Sequence, residues 1–205
     1  MLELNFPHRW QQYYSAVAGR PPRDTLLNAL DRFDAEPTDA PRLAIDLGCG
    51  EGRDTVEILR RGWRVLAIDA TAAAIDRLVN RPDLPHPDHL ETQVERFETI
   101  ALPSAALINA SFCLPFCPPD AFPQLWQQIF SALEAGGRFA GHLFGDRDAW
   151  ATIPEHTHHT RQQIEALLQP FEVEMLNEEE TDGKTALGEP KHWHIFHIVA
   201  RKPVM

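Results

Sequence analysis

From Leu43 onward the apolar positions of the chain fall into a repeating order. A short apolar run, LAIDL, leads through a glycine-rich turn into DTVEILRR, which Gly62 stops, and RVLAID followed by TAAAIDRLVN repeats the pattern. Strand, helix, strand, helix is the rhythm of βαβ units and a parallel sheet. The stretch from Arg81 to Asp88 holds Pro82, Pro85 and Pro87 and is expected to be a loop. Beyond it the pattern predicts a third strand near HLETQV, a fourth near ALINA, a helix over FPQLWQQIFSALE ending at Gly136-Gly137, and a fifth strand at RFAGHLF. TRQQIEALLQ reads as a helix that stops before Pro170. FEVEMLNEEE and HWHIFHIVAR then read as two strands joined by TDGKTALGEP, a connection too short for a crossover helix, so they are expected to run antiparallel. The strand count is seven.

Ahead of this order lies a polar, aromatic lead with Trp10, Tyr13 and Tyr14, then RPPRDTLLNALDRF, where Pro22 and Asp24 suit a helix start and Leu26, Leu27, Leu30 and Phe33 form an apolar face. Residues 1–40 are therefore read as a helical lead or lid, and residues 41–205 as the one domain that a chain of 205 residues accommodates. Lysine and arginine number 19 against 30 acidic residues, a net charge of -11 without a basic run, which argues against nucleic acid or an anionic membrane as partner and for a small-molecule substrate. No apolar run approaches a bilayer span and the first residues lack a signal-peptide pattern, so the expected location is the cytoplasm, as a monomer or weak dimer. Cys49, Cys113 and Cys117 read as reduced thiols.

The chemistry concentrates in Asp46-Leu47-Gly48-Cys49-Gly50-Glu51-Gly52, at the carboxyl end of the first strand and the start of the following helix. In an open α/β sheet this crevice is the default ligand site, and glycines there let the backbone turn sharply and approach a ligand closely. Free amides at the helix start favour a carboxylate. Asp69 ends the second strand, where a carboxylate accepts both hydrogen bonds of a ribose diol. A dinucleotide fingerprint would need glycine at position 53, which is Arg53, and Asp46 two residues before the first glycine suits a cationic amino group better than a pyrophosphate.

DLGCGEGRD followed by VLAIDA resembles the first motif and acidic loop of class I S-adenosylmethionine-dependent methyltransferases. INASFCLPFCPP, LFGDRDAW and KHWHIFHIVARK extend the likeness to the small bacterial members related to tellurite-resistance and thiopurine methyltransferases. The resemblance implies a Rossmann-like α/β fold, with a seven-stranded, mostly parallel sheet, an antiparallel last strand and helices on both faces. It also implies S-adenosylmethionine as cofactor and S-adenosylhomocysteine as product. The cofactor residues would be Asp46, Gly48, Cys49, Gly50, Gly52, Asp69 and Ala70, with Arg96 and Phe97 at the adenine and Asn109 and Ala110 facing the sulfonium. Arg20, before the first long helix, would reach over the cofactor from the lead.

Methyl transfer from a sulfonium needs alignment and, for a protic acceptor, a base. His142, in a strand aimed at the active face, is the expected base, and Tyr13, Tyr14, Phe112 and Phe116 are expected to line the acceptor side together with Leu114 and Cys117. Neither His156, His158 and His159 nor His192, His194 and His197 has metal-ligand spacing, so no metal is expected. The acidic run Glu178-Glu179-Glu180 is expected to close the sixth strand as a solvated end. The expected function is methyl transfer to a small thiol, selenol, oxyanion or similar acceptor. The competitors are a non-catalytic S-adenosylmethionine-binding sensor or partner subunit and, disfavoured by Arg53, a nicotinamide-dependent oxidoreductase.

Overall fold

The computed structural model describes the backbone of residues 6–36 and 41–204. In chain order the elements are α1 (Phe6–Val17), α2 (Asp24–Asp34), β1 (Leu43–Leu47), α3 (Arg53–Arg60), β2 (Arg64–Asp69), α4 (Ala72–Val79), β3 (Leu90–Val94), β4 (Ala105–Ala110), α5 (Phe122–Ala132), β5 (Leu133–Gly145), β6 (His158–His159), α6 (Arg161–Leu168), β7 (Glu172–Lys184) and β8 (Pro190–Arg201). The sheet order is β3-β2-β1-β4-β5-β8-β7. β1 to β5 pair in parallel, while β8 runs antiparallel to both β5 and β7. The seven expected strands are all present, and β6 adds an eighth of two residues beside the end of β5. The alternating side chains of β1 show the layering: Ala44 faces the cluster of Leu26, Leu30, Ile58 and Leu78, and Ile45 and Leu47 face that of Leu125, Trp126, Ile164 and Leu168. Helices therefore cover both faces.

Two expectations shift. Gly136 and Gly137 do not end the helix, because β5 already begins at Leu133 opposite Ala105 and re-pairs only at Arg138 opposite Leu107. The glycines lie in the bulge between these pairs, where a Cβ on Gly137 would stand 2.9 Å from the Ala106 carbonyl oxygen. The acidic run does not close its strand either: β7 continues to Lys184, paired throughout with β8. Within the lead, α1 and α2 differ in kind. Leu26, Ala29 and Leu30 of α2 are fully buried, and Arg138 of β5 binds Glu36 just beyond that helix at 2.7 Å and Glu174 of β7 at 2.8 Å. α2 is thus part of the core layer, leaving α1 as the outer segment.

The β1–α3 turn depends on one close approach. Gly48 has φ +61°, and a Cβ there would lie 2.3 Å from Cys113 Cβ, whose thiol donates to the Leu47 carbonyl at 3.0 Å. Gly48→Ala is expected to cost roughly 2–4 kcal/mol, from left-handed strain plus overpacking against an atom that cannot rotate away. Chemical denaturation checks this. Adding Cys113→Gly should recover part of the loss, and a Gly48→Ala variant as stable as wild type would contradict the packing described.

Candidate functional site

β1, β2 and β4 end side by side, and the glycine turn crosses above β1. Here a pocket, partly open to solvent, is lined by Asp46, Gly48, Cys49, Gly50 and Glu51 of the turn, Arg53 and Asp54 of α3, Ser111 after β4, Arg23 before α2, and Tyr13, Tyr14 and Val17 of α1. Gly52, at φ +84°, closes the turn and starts α3. A Cβ there would stand 2.2 Å from the end of the Leu78 side chain, so a larger residue would have to displace Leu78 and hold a left-handed backbone.

Two buried carboxylates meet beneath the turn. Asp46, 1 % exposed, accepts from Thr55 Oγ1 at 2.5 Å and from Asn109 Nδ2 at 2.8 Å. The same Asn109 amide donates to Asp54 Oδ2 at 3.1 Å, and the other Asp54 oxygen accepts from the Arg23 backbone N–H at 3.0 Å. Every one of these donors is neutral. Burial first, and then the neighbouring Asp54 charge, push the Asp46 carboxyl up to about 7. Such a pair is an incomplete ion cluster, able to take up a cation.

Asp69 stands beside it at the end of β2. One oxygen accepts from Gly50 N–H at 3.0 Å; the other accepts from Thr71 N–H at 2.9 Å and Thr71 Oγ1 at 2.8 Å. The carboxylate is thereby fixed at the mouth of the turn, with lone pairs left for a diol. α1 covers this point: a Cβ on Gly50 would touch the Tyr14 ring at 3.3 Å, and the Tyr14 hydroxyl lies 3.3 Å from Thr71 Oγ1. Tyr14 is 3 % exposed and, chiefly through that burial, its hydroxyl holds its proton more tightly than usual.

A family model described as a methyltransferase domain matches residues 44–137. TehB from Haemophilus influenzae superposes with a TM-score of 0.74 at 16% identity, covering 94% of this chain and 67% of that one. An S-adenosylmethionine-dependent methyltransferase from Methanosarcina mazei gives 0.67 at 18%, over 90% of this chain and 100% of its own. A third is the 1,6-didemethyltoxoflavin-N1-methyltransferase from Burkholderia thailandensis, at 0.66 and 19%, covering 96% and 83%. Residues 44–137 thus resemble a methyltransferase domain, and the three solved structures share the fold of the chain.

The residues expected at the cofactor and acceptor are distributed unevenly around the pocket. Asp46, Gly48, Cys49, Gly50, Tyr13 and Tyr14 line it, Gly52 closes its turn and Asp69 flanks it. At the end of β4 the side-chain amide of Asn109 holds the two aspartates, and Ala110 is fully buried beside it. Ala70 and Arg20 are exposed, Arg96 is exposed and paired with Glu98 at 2.8 Å, and Phe97 packs half-buried against the core. His142 is 2 % exposed and stacked at 4.0 Å on Phe112, a residue in the left-handed region at φ +58° whose ring also carries Arg23 at 4.2 Å. Burial, with smaller effects from His197, Arg23 and Arg53, keeps the His142 imidazole neutral, and its Nδ1 has no partner. Phe112 separates it from the pocket lining.

Asp54, Thr55, Arg23 and Arg53 were missed, since an acid in the first turn of a helix ordinarily only complements the helix dipole. The three strand histidines each meet a carboxylate, His192 with Asp182, His194 with Glu178 and His197 with Glu179. Among the described residues no group of three or more His, Cys, Asp or Glu is placed to hold a metal ion, and no helix is long and apolar enough to cross a membrane.

The Asp46 carboxyl gives the protein a pH signature. An unfolded aspartate titrates near 3.9, so between about pH 4 and 7 the folded state holds the extra proton, and this contribution to stability is lost as pH rises through 7. Asp46→Asn removes it. Urea denaturation at pH 5 and pH 8 should therefore show the variant gaining on wild type at the higher pH. A stability difference that is the same at both would contradict the shifted carboxyl.

Proposed function

We propose that the chain binds S-adenosylmethionine in this pocket and transfers its methyl group to a small-molecule acceptor, releasing S-adenosylhomocysteine. The observation that carries this reading is the Asp46–Asn109–Asp54 cluster, two buried carboxylates with neutral donors only, beside glycine amides and the Asp69 carboxylate. A ligand with an α-ammonium, an α-carboxylate and a ribose diol meets all three. Asp46 and Asp54 hold the ammonium, the Gly48–Gly52 amides and the start of α3 receive the carboxylate, and Asp69 accepts from the diol. Ala70 and Phe97 flank the adenine side. The cofactor supplies a methyl group on a sulfonium that needs no activation, so the protein's work is alignment and exclusion of water.

Asp69→Ala should weaken S-adenosylhomocysteine binding by roughly 1.5–3 kcal/mol, the range for a lost hydrogen bond to a charged group. Calorimetry reads this directly, and unchanged affinity would remove Asp69 from the cofactor site. A radiolabelled methyl-transfer assay over an acceptor panel separates an enzyme from a non-catalytic S-adenosylmethionine sensor.

α1 acts as the lid in this reading, because Tyr14 covers Gly50 and its hydroxyl reaches Thr71. Removing residues 1–20 leaves α2 and the sheet complete, so the truncated chain should fold. It should also bind S-adenosylhomocysteine more weakly and turn over more slowly, as the site opens to water. Truncated protein with full-chain affinity and turnover would contradict the lid.

A further inference from the structure

Four aromatic side chains from three segments converge beyond the carboxyl ends of β4 and β5. Phe116, in the turn after β4, lies 5.3 Å from Trp10 of α1 at 79°, 5.0 Å from His156 at 84°, and 6.0 Å from Trp150 at 54°, while Trp150 and His156 are 5.8 Å apart. Core rings such as Phe139, Phe144 and Phe196 are sealed, at 0 %, 1 % and 0 % exposure. These four are all half-exposed. The cluster adjoins the proposed cofactor pocket through Trp10, whose ring meets Tyr13 at 5.5 Å and Tyr14 at 6.2 Å, both lining residues.

Trp150 is held in place by a buried clamp. Asp148 Oδ1 receives the Trp150 backbone N–H at 2.9 Å and the Lys191 ammonium at 2.7 Å; Oδ2 receives Lys191 at 2.8 Å and the His194 backbone N–H at 3.2 Å. The side chains of Asp148 and Lys191 are 0 % and 1 % exposed, and the ammonium lies 4.0 Å from the centre of the Trp150 ring and 3.4 Å from that of Trp193. Burying an ion pair this completely is costly, and what it secures here is the position of a half-exposed tryptophan.

On the reading that this is a small-molecule methyltransferase, we propose that Trp10, Phe116, Trp150 and His156 form the acceptor subsite and that it takes a planar aromatic ring carrying no positive charge. Mutually tilted rings 5–6 Å apart offer both faces and edges to a flat π-system, a preference a saturated ring of the same size does not share. The Lys191 ammonium already occupies the π-system of Trp150, so a cationic guest finds that attraction taken. His156, which burial keeps neutral, has a buried Nδ1 with no partner, able to serve a hydroxyl or ring nitrogen of the guest.

The test uses the full chain saturated with S-adenosylhomocysteine, with 2-naphthol as the planar probe, decahydro-2-naphthol as its saturated counterpart and N-methylquinolinium as the cationic one. Calorimetry should show 2-naphthol binding about tenfold or more tighter than either, the difference expected from two ring contacts. Trp150→Leu should abolish that preference while leaving S-adenosylhomocysteine affinity within twofold, and Trp10→Leu, assayed at saturating S-adenosylhomocysteine because it lies in the lid, should abolish it too, with thermal midpoints recorded to confirm folding. Normal S-adenosylhomocysteine binding with equal affinity for the planar and saturated probes, or with the planar preference surviving both substitutions, overturns the subsite and leaves the methyltransferase reading standing. Failure to bind S-adenosylhomocysteine overturns both.

Discussion

Two aspartates that share one asparagine amide set the terms for the rest of this structure. Asp46 can be buried only because Thr55 and Asn109 donate to it, and Asn109 reaches both carboxylates only because β4 pairs with β1 so that position 109 lies opposite position 46. That register in turn needs the tight turn at Gly48, against which Cys113 packs. The cluster is electrostatically unfinished, since burying Asp46 beside a second carboxylate without a cation raises its carboxyl pKa instead of forming an ion pair. A cationic ligand would relieve this tension.

The order of elements could be read because burial on both sides of a parallel sheet leaves a strong mark on sequence. LAIDL and RVLAID coincide with β1 and β2 to the residue. The Gly136-Gly137 pair misled because glycines after a helical pattern look like a stop, whereas here they relieve a bulge against the Ala106 carbonyl. β6 left no trace, as a two-residue strand is created by its neighbour Gly145 and not by its own pattern. The end of β7 was hidden for a related reason. Its acidic residues look like a solvated strand end, yet Arg147 and Arg161 pair with Glu178, and His194 and His197 of β8 meet Glu178 and Glu179.

The site was legible where the backbone itself does the work and obscure where tertiary contacts do. Glycines and strand-end acids announce themselves by position, so Asp46, Gly48, Gly50 and Asp69 could be named. Asp54 could not, because nothing local distinguishes it from an ordinary helix-start acid. Trp150 could not either, since its placement depends on Lys191, some forty residues away across the sheet. His142 looked open because it sits on the right strand, but the left-handed backbone at Phe112 swings a ring across it.

The central claim is that the Asp46–Asp54 cluster receives the ammonium of the cofactor, and paired titrations address it most directly. S-adenosylhomocysteine carries that ammonium, whereas 5′-methylthioadenosine keeps the nucleoside and lacks it. Below pH 7 a proton on Asp46 competes with the ammonium, so the affinity for S-adenosylhomocysteine should rise between pH 6 and pH 8 with proton release on binding, while that for 5′-methylthioadenosine stays flat. Parallel pH profiles for the two ligands would contradict the account.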